Sequence, residues 1–208
     1  MIAVLGAGHV GPVLARLALA GGYRVGIAGS GDPARIELIA QVLAPGAEAR
    51  WAADAITEAD LVVLAFPLHR FAAFAQRHGG ALSGRLVVDA MNYWPPVDGV
   101  LDLPASGSSE LVQRALPEAV VVKTFNHLGY HQLDENGDPD RLALGVAGND
   151  PAAVNAVSEV VGRMGFDPVP LFPLSAGRLL EPGGPVFGAA LRRADFTEAI
   201  SEAISTKA

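Results

Sequence analysis

The chain opens Met1-Ile-Ala-Val-Leu5 and runs directly into Gly6-Ala-Gly8-His9-Val10-Gly11. An apolar run of strand length is thus followed by three glycines spaced G-x-G-x-x-G, and an Ala/Leu-rich, helix-like segment comes next. In that order each glycine has a separate reason. Gly6 permits a tight strand-to-helix turn, Gly8 lets a pyrophosphate approach the backbone, and Gly11 lets the helix pack closely on the sheet. The helix start then presents free N–H groups and a positive dipole end to the phosphates. A dinucleotide-binding βαβ unit is the expected opening of the fold.

The rest of the chain keeps the same rhythm. Short apolar runs bounded by Gly, Pro, Asp or Asn predict strands at about 1–5, 24–28, 48–52, 61–66, 85–90, 119–124, 142–147 and 168–172. Their near-continuous hydrophobicity is that of strands buried on both faces. Helices are expected at about 9–21, 33–43, 68–78, 108–116, 150–165 and 186–204. Asp32-Pro33 and Asp150-Pro151 each set a capping carboxylate before a Pro at the first helical position, and Ser108-Ser109-Glu110 marks a third start. Regular alternation predicts a Rossmann-type α/β fold, a doubly wound and mostly parallel sheet of about eight strands. Residues 1–118 are expected to form the nucleotide-binding domain. Residues 119–208 are expected to form a small C-terminal subdomain that extends the same sheet and ends in a helix.

Composition excludes several classes. A net charge of −7 with no basic cluster argues against a nucleic-acid surface. No apolar run reaches the length of a membrane span, and with the first strand beginning at residue 1 no signal peptide is expected. With no cysteine there is no disulfide framework, iron–sulfur cluster or thiolate chemistry. The cytoplasm is the expected location.

The end of the second strand bears on which dinucleotide binds. NAD-preferring sites place Asp or Glu there to hold the ribose hydroxyls. Here the strand ends in Gly29-Ser30-Gly31, with Asp32 better explained as a helix cap. Ser30 is placed to donate to a 2′-phosphate and Arg35 to supply charge, so NADP is expected over NAD. The alternative for Arg35 is a plain solvated helix residue.

Further segments carry a resemblance: Ala65-Phe-Pro67, Asp89-Ala-Met-Asn-Tyr93, Val122-Lys-Thr-Phe-Asn-His127 and Leu174-Ser-Ala-Gly-Arg178-Leu-Leu-Glu181. In this order the chain resembles the coenzyme F420-dependent NADP reductase family over nearly its whole length. It is also similar to the cytosolic reductase domain of the six-transmembrane metalloreductases. The resemblance implies an oxidoreductase that passes hydride between NADP(H) and a deazaflavin, coenzyme F420, or a flavin such as FMN or FAD. It implies that Gly8, His9 and Val10 lie along the pyrophosphate and that Ser30 and Arg35 meet the 2′-phosphate. Gly31 stands where that family often carries Arg. Phe66 and Pro67 would line the nicotinamide half of the cleft, with Ala90, Met91 and Asn92 opposite. Asn126, His127 and Leu128 would floor the pocket of the second ring, and a homodimer would form partly through the C-terminal helix.

Hydride transfer between two rings needs stacking and water exclusion more than acid–base groups, which fits the lack of an obvious catalytic set. His127 is a candidate near the reacting rings or a structural histidine. His69 is a candidate for the nicotinamide side or the cofactor phosphates, and His78 is expected at a helix end facing solvent. His127-x-x-x-His131 has metal-ligand spacing if helical, but no third ligand accompanies it, and no metal is expected. Tyr93-Trp94-Pro95-Pro96 reads either as an aromatic wall or as a rigid surface turn. Arg178 and Glu181 are expected to pair and fix the last helix. Two other functions stay open: a non-catalytic NADP(H) sensor, and a dehydrogenase or reductase of a small organic substrate. The latter type with a long helical second domain needs about a hundred further residues.

Overall fold

Successive residues of the first strand, β1 (Ile2–Leu5), enter opposite cores: Ile2 and Val4 pack on one face of the sheet, Ala3 and Leu5 on the other. Both faces are therefore covered, as a continuous apolar strand requires. The computed structural model describes residues 1–134 and 141–206. The other strands are β2 (Val25–Ala28), β3 (Glu48–Ala49), β4 (Leu61–Leu64), β5 (Leu86–Asp89), β6 (Val120–Lys123), β7 (Ala143–Gly148) and β8 (Asp167–Leu171). They form one sheet in the order β3-β2-β1-β4-β5-β6-β7-β8, a Rossmann-type α/β arrangement.

The helices are α1 (Val10–Ala20), α2 (Glu37–Leu43), α3 (Ala52–Glu58), α4 (Phe71–His78), α5 (Pro95–Asp98), α6 (Ser108–Ala115), α7 (Tyr130–Asp134), α8 (Pro151–Arg163) and α9 (Arg193–Ser205). Residues 33–35, 68–70, 79–82 and 174–180 form 3-10 turns. Val13, Leu14 and Ala18 of α1 and Val154, Val157 and Val161 of α8 fill one core. On the other face Ile56, Phe71, Val112 and Leu116 pack beneath α3, α4 and α6. A third, smaller cluster joins Phe196 and Ile200 of α9 to Leu179, Leu180 and Val169. Each such side chain taken fully out of water contributes roughly 1.5–3 kcal/mol before entropy is counted.

The sheet is parallel from β3 through β6, but β7 runs antiparallel to β6, and β8 is then parallel to β7. The register pairs Lys123 with Ala147, so the start of β7 projects beyond the carboxyl end of β6. The reversal follows from the connection. Of the described residues after β6, Tyr130 stacks on His9 at the carboxyl edge, and β7 enters from the edge where β6 leaves.

Two expected caps form: Asp32 Oδ1 accepts from Ala34 N and Asp150 Oδ1 from Ala152 N, both at 2.9 Å and both with Pro at the helix start. The third does not. Gly107, at φ 108°, precedes α6, and the Ser108 and Ser109 hydroxyls turn to buried charges. The last helix begins at Arg193 rather than near 186, because residues 181–192 turn repeatedly through Gly183 and Gly188, both at positive φ. Short α3, α5 and α7 were not expected.

Candidate functional site

Between β1 and β4 the strand order changes direction, which opens a crevice at the carboxyl edge of the sheet. Gly6 sits there at φ 129°, and a Cβ on it would lie 2.1 Å from the Ala65 carbonyl oxygen. A Cβ on Gly11 would lie 1.7 Å from the Gly6 oxygen, so α1 can approach the strand only through a glycine. Gly8 differs: a Cβ there meets nothing within 4 Å. Its backbone faces open space. Above it, His9 at the N-terminus of α1 makes no side-chain cap, and no acidic residue occupies the first turn. Uncapped N–H groups beside an open glycine suit a phosphate chain. Val10 begins the helix, and the His9 ring stacks on Tyr130 of α7 at 5.1 Å and 17°.

At the end of β2, Ser30 and Arg35 are exposed, and their side chains make no hydrogen bond or ion pair among the described residues. Asp32 is engaged in its cap, so its carboxylate is turned to Ala34. A hydroxyl and an unpaired guanidinium are thus available where a 2′-phosphate would lie. The residues present fit a dinucleotide carrying that phosphate.

Phe66 is half-buried against Phe74 at 5.1 Å, and Pro67 is exposed before the 68–70 turn. Opposite, Ala90 and Met91 are buried, and the Met91 side chain belongs to the core rather than to an open wall. Asn92 donates to the Asn126 carbonyl at 2.7 Å, and Asn126 Nδ2 donates back to Asn92 Oδ1 at 3.0 Å and to the Leu180 carbonyl at 2.7 Å. This amide pair ties the ends of β5 and β6 to the 174–180 turn.

His127 is placed differently from a pocket floor. Its ring is fully buried, with Nε2 3.3 Å from the Ala143 oxygen and the ring 5.5 Å from Phe196. The projecting start of β7 and the last helix enclose it. Burial pushes its pKa down to about 4, partly offset by the Ala143 carbonyl, so the ring is neutral near pH 7. Leu128 is buried too. Thr124 Oγ1, Asn126 Oδ1 and His127 Nδ1 are buried without a hydrogen-bond partner among the described residues. Between them Phe125 holds a left-handed backbone, φ 64°, which is costly for a bulky side chain. His78 ends α4 but is half-buried on Phe74, and burial followed by Arg77 lowers its pKa.

One group went unforeseen. Lys123 and Asp89, each fully buried, are register partners at the ends of β6 and β5. Lys123 Nζ donates to Asp89 Oδ2 at 3.1 Å, to the Met91 carbonyl at 2.6 Å and to Ser108 Oγ at 3.3 Å. Ser109 Oγ donates to Asp89 Oδ2 at 2.6 Å, and Met91 N donates to Asp89 Oδ1 at 2.9 Å. Glu181 accepts from both Ser108 N and Ser108 Oγ at 2.7 Å and stands 3.9 Å from Lys123 Nζ. Glu181 therefore anchors to α6 and β6 rather than to Arg178, whose side chain is exposed. The signal was a lone Asp and a lone Lys, each ending a run of valines.

Tyr93-Trp94-Pro95-Pro96 leads into α5, with Trp94 edge-on to Phe187 at 5.6 Å. Two hollows lie away from the glycines. One, of about 440 Å³, is bounded by Asp32, Glu37, Gln41 and Glu48. The other, of about 210 Å³, is bounded by Pro104, Arg178, Glu181 and Gly184. Among the described residues no group of three His, Asp or Glu could hold a metal ion, and no helix is long and apolar enough to cross a membrane.

Residues 1–93 match the family described as NADP oxidoreductase, coenzyme F420-dependent. Among solved structures, the chain is similar to a hypothetical protein from Sinorhizobium meliloti, at 30% identity and TM-score 0.81, over 93% of this chain and 95% of that one. It is also similar, at 28% identity and TM-score 0.74, to an Arthrobacter sp. FB24 protein provisionally assigned as an F420-dependent NADP-reductase, over 85% of this chain and 86% of that one. A pyrroline-5-carboxylate reductase from Coxiella burnetii shares the fold, at 13% identity and TM-score 0.65, over 99% of this chain and 69% of that one. A search of curated proteins finds no match.

Proposed function

This chain belongs to the coenzyme F420-dependent NADP oxidoreductase family, and from that premise we propose that it passes hydride between NADP(H) and a deazaflavin ring, a flavin being the second choice. The observation that carries the reading is the crevice itself: open backbone at Gly8 under uncapped N–H groups, with Ser30 and Arg35 unengaged beside it. When bound, the reduced nicotinamide supplies the hydride.

The protein's part is holding and shielding. Gly6 and Gly11 bring α1 against β1 and β4, while Gly8, His9 and Val10 flank the diphosphate. Ser30 donates to, and Arg35 neutralises, the 2′-phosphate. Phe66 and Pro67 form one wall of the nicotinamide end. On the other side the Asn92–Asn126 pair and the backbone of Ala90 and Met91, held by Lys123, keep the loops in one position. Fixed walls reduce the ordering cost of bringing two rings face to face. The His127 ring supports this edge from within the core. We assign residues 1–118 to nucleotide binding and 119–208 to completing the second pocket, in a cytoplasmic homodimer. Phe196 and Ile200 of α9 are already covered within the chain, which leaves Ile204, 56% exposed, for a dimer contact.

The test offers NADPH with deazaflavin, FMN, FAD and ferric chelates separately. Turnover with a deazaflavin supports the reading; tight NADPH binding without turnover on any acceptor refutes it and favours a sensor. Arg35→Ala should reduce preference for NADPH over NADH by about tenfold, the loss of one charge-assisted contact. An unchanged ratio removes Arg35 from the site.

A further inference from the structure

His69 and Asp98 lie 29 positions apart in sequence and meet beside the nicotinamide end of the crevice. The Ala65–Phe66 backbone abuts the fingerprint, since a Cβ on Gly6 would lie 3.3 Å from Phe66 N. His69 follows three residues later in the 68–70 turn. Its Nδ1 is 2.9 Å from Asp98 Oδ1, and its backbone N donates to the same oxygen at 3.0 Å. Asp98 Oδ2 accepts from Trp94 N at 2.7 Å. The Asp98 side chain is 1% exposed, whereas that of His69 is 35% exposed.

The carboxyl stays ionised in this setting. Burial by itself would raise its pKa, but the two backbone donors and the His69 ring outweigh burial and hold it below the usual carboxylate range. An ionised carboxylate only accepts, so the proton between the two groups belongs to Nδ1. The opposite ring nitrogen, Nε2, makes no hydrogen bond among the described residues, on a side chain that is about one-third exposed. A base fixed in one tautomer by a buried acid, with its other nitrogen accessible, is the arrangement used to move protons.

We propose that His69 is the proton donor and acceptor for the second redox partner, oriented by Asp98. The inference rests on the hydride-transfer reading above. Reduction of a deazaflavin or flavin by a dihydronicotinamide delivers one hydride, with both electrons, to the ring and requires one proton on a ring nitrogen. The imidazolium Nε2–H bond breaks to supply that proton, its electron pair remains on Nε2, and solvent restores the proton. In the reverse direction Nε2 takes the proton. The charged and titratable groups on the elements packed around His69 are Asp98 on α5, Arg77 and His78 on α4, and neighbouring Arg70.

Three measurements test this. Two-bond ¹⁵N–¹H correlation spectra of the ligand-free protein should show His69 as the Nδ1–H tautomer when neutral, with that preference lost in Asp98→Asn. Single-turnover reduction at saturating NADPH should slow by about 10²-fold or more in His69→Ala, the usual size of a positioned acid–base contribution. NADPH affinity should remain within about threefold. Added imidazole should restore part of the rate in His69→Ala, since the site is open to solvent. A wild-type rate in His69→Ala overturns the inference and leaves the hydride-transfer reading standing. A slow variant without imidazole rescue, or an Nε2–H tautomer, overturns it in favour of a structural clip. If the wild type reduces none of the acceptors, both readings fall.

Discussion

Replacing Lys123 by Met removes one charge from a site in which both partners are fully buried. At 3.1 Å and an effective dielectric of about 20, the attraction between the two charges is about 5 kcal/mol. Desolvation of both ions cancels much of that in the intact pair. The single variant keeps the desolvation of Asp89 and loses the attraction, and it also strips the Met91 carbonyl and Ser108 hydroxyl of a donor. The expected loss is about 3–5 kcal/mol in urea unfolding. Asp89→Leu should also destabilise but by less, because Glu181, 3.9 Å from Lys123 Nζ, still faces the ammonium. The double variant Asp89→Leu/Lys123→Met should fall short of the summed single losses by at least about 1.5 kcal/mol, since neither charge is then stranded. Equilibrium denaturation of the four proteins closes the cycle. Additive losses, or single losses under about 1 kcal/mol, would refute the view that this pair clamps the β5 and β6 ends.

Gly8→Ala should leave stability nearly unchanged, because its Cβ meets nothing, yet weaken NADPH binding about tenfold or more by crowding the phosphate approach. Gly11→Ala should instead lower thermal stability severely, since its Cβ would stand 1.7 Å from a carbonyl oxygen; paired melting and titration curves distinguish the two. The pKa of His127 is depressed to about 4 in the fold against about 6.5 when unfolded, so the unfolded chain alone takes up this proton as pH falls between those values. About 3 kcal/mol of stability should be lost across that window on its account, with no contribution above it. His127→Leu should flatten the corresponding slope of unfolding free energy against pH, and an unchanged slope would refute the assignment.

The central strands were legible because their apolar runs stand between turn residues, as Leu61-Val-Val-Leu64 between Asp60 and Ala65-Phe-Pro67 illustrates, whereas β3 shortens to Glu48-Ala49 and β8 carries two prolines. The fingerprint was legible for the same reason. The direction of β7 was not. Its sequence, Ala143-Leu-Gly-Val-Ala-Gly148, suits either orientation, and only the path of the preceding connection decides. α5 and α7 are too short for periodicity to register, and α3 lacks a capping or breaking residue at its start. The site was half visible. Glycines announce a crevice through backbone geometry, whereas the Asp89–Lys123 and His69–Asp98 pairs arise from strands and turns brought together by the fold. His127 illustrates the same limit: its position after β6 was readable, but its enclosure by Ala143 and Phe196 depends on the reversed strand.

The reversed strand also divides the molecule mechanically. β6 and β7 are joined through the pairs Val122–Gly148 and Lys123–Ala147, while β7 and β8 share a ladder from Ala143–Asp167 to Ala147–Leu171. β7, α8 and β8 form a crossover unit with its own continuous ladder, joined to the parallel half by this short strand seam and by the core that α8 shares with α1. Beside that seam lie the Lys123 clamp and the unpartnered groups of Thr124, Asn126 and His127. Cooperative opening should therefore begin there, with amides of 143–171 exchanging as a block ahead of those in β1 and β4.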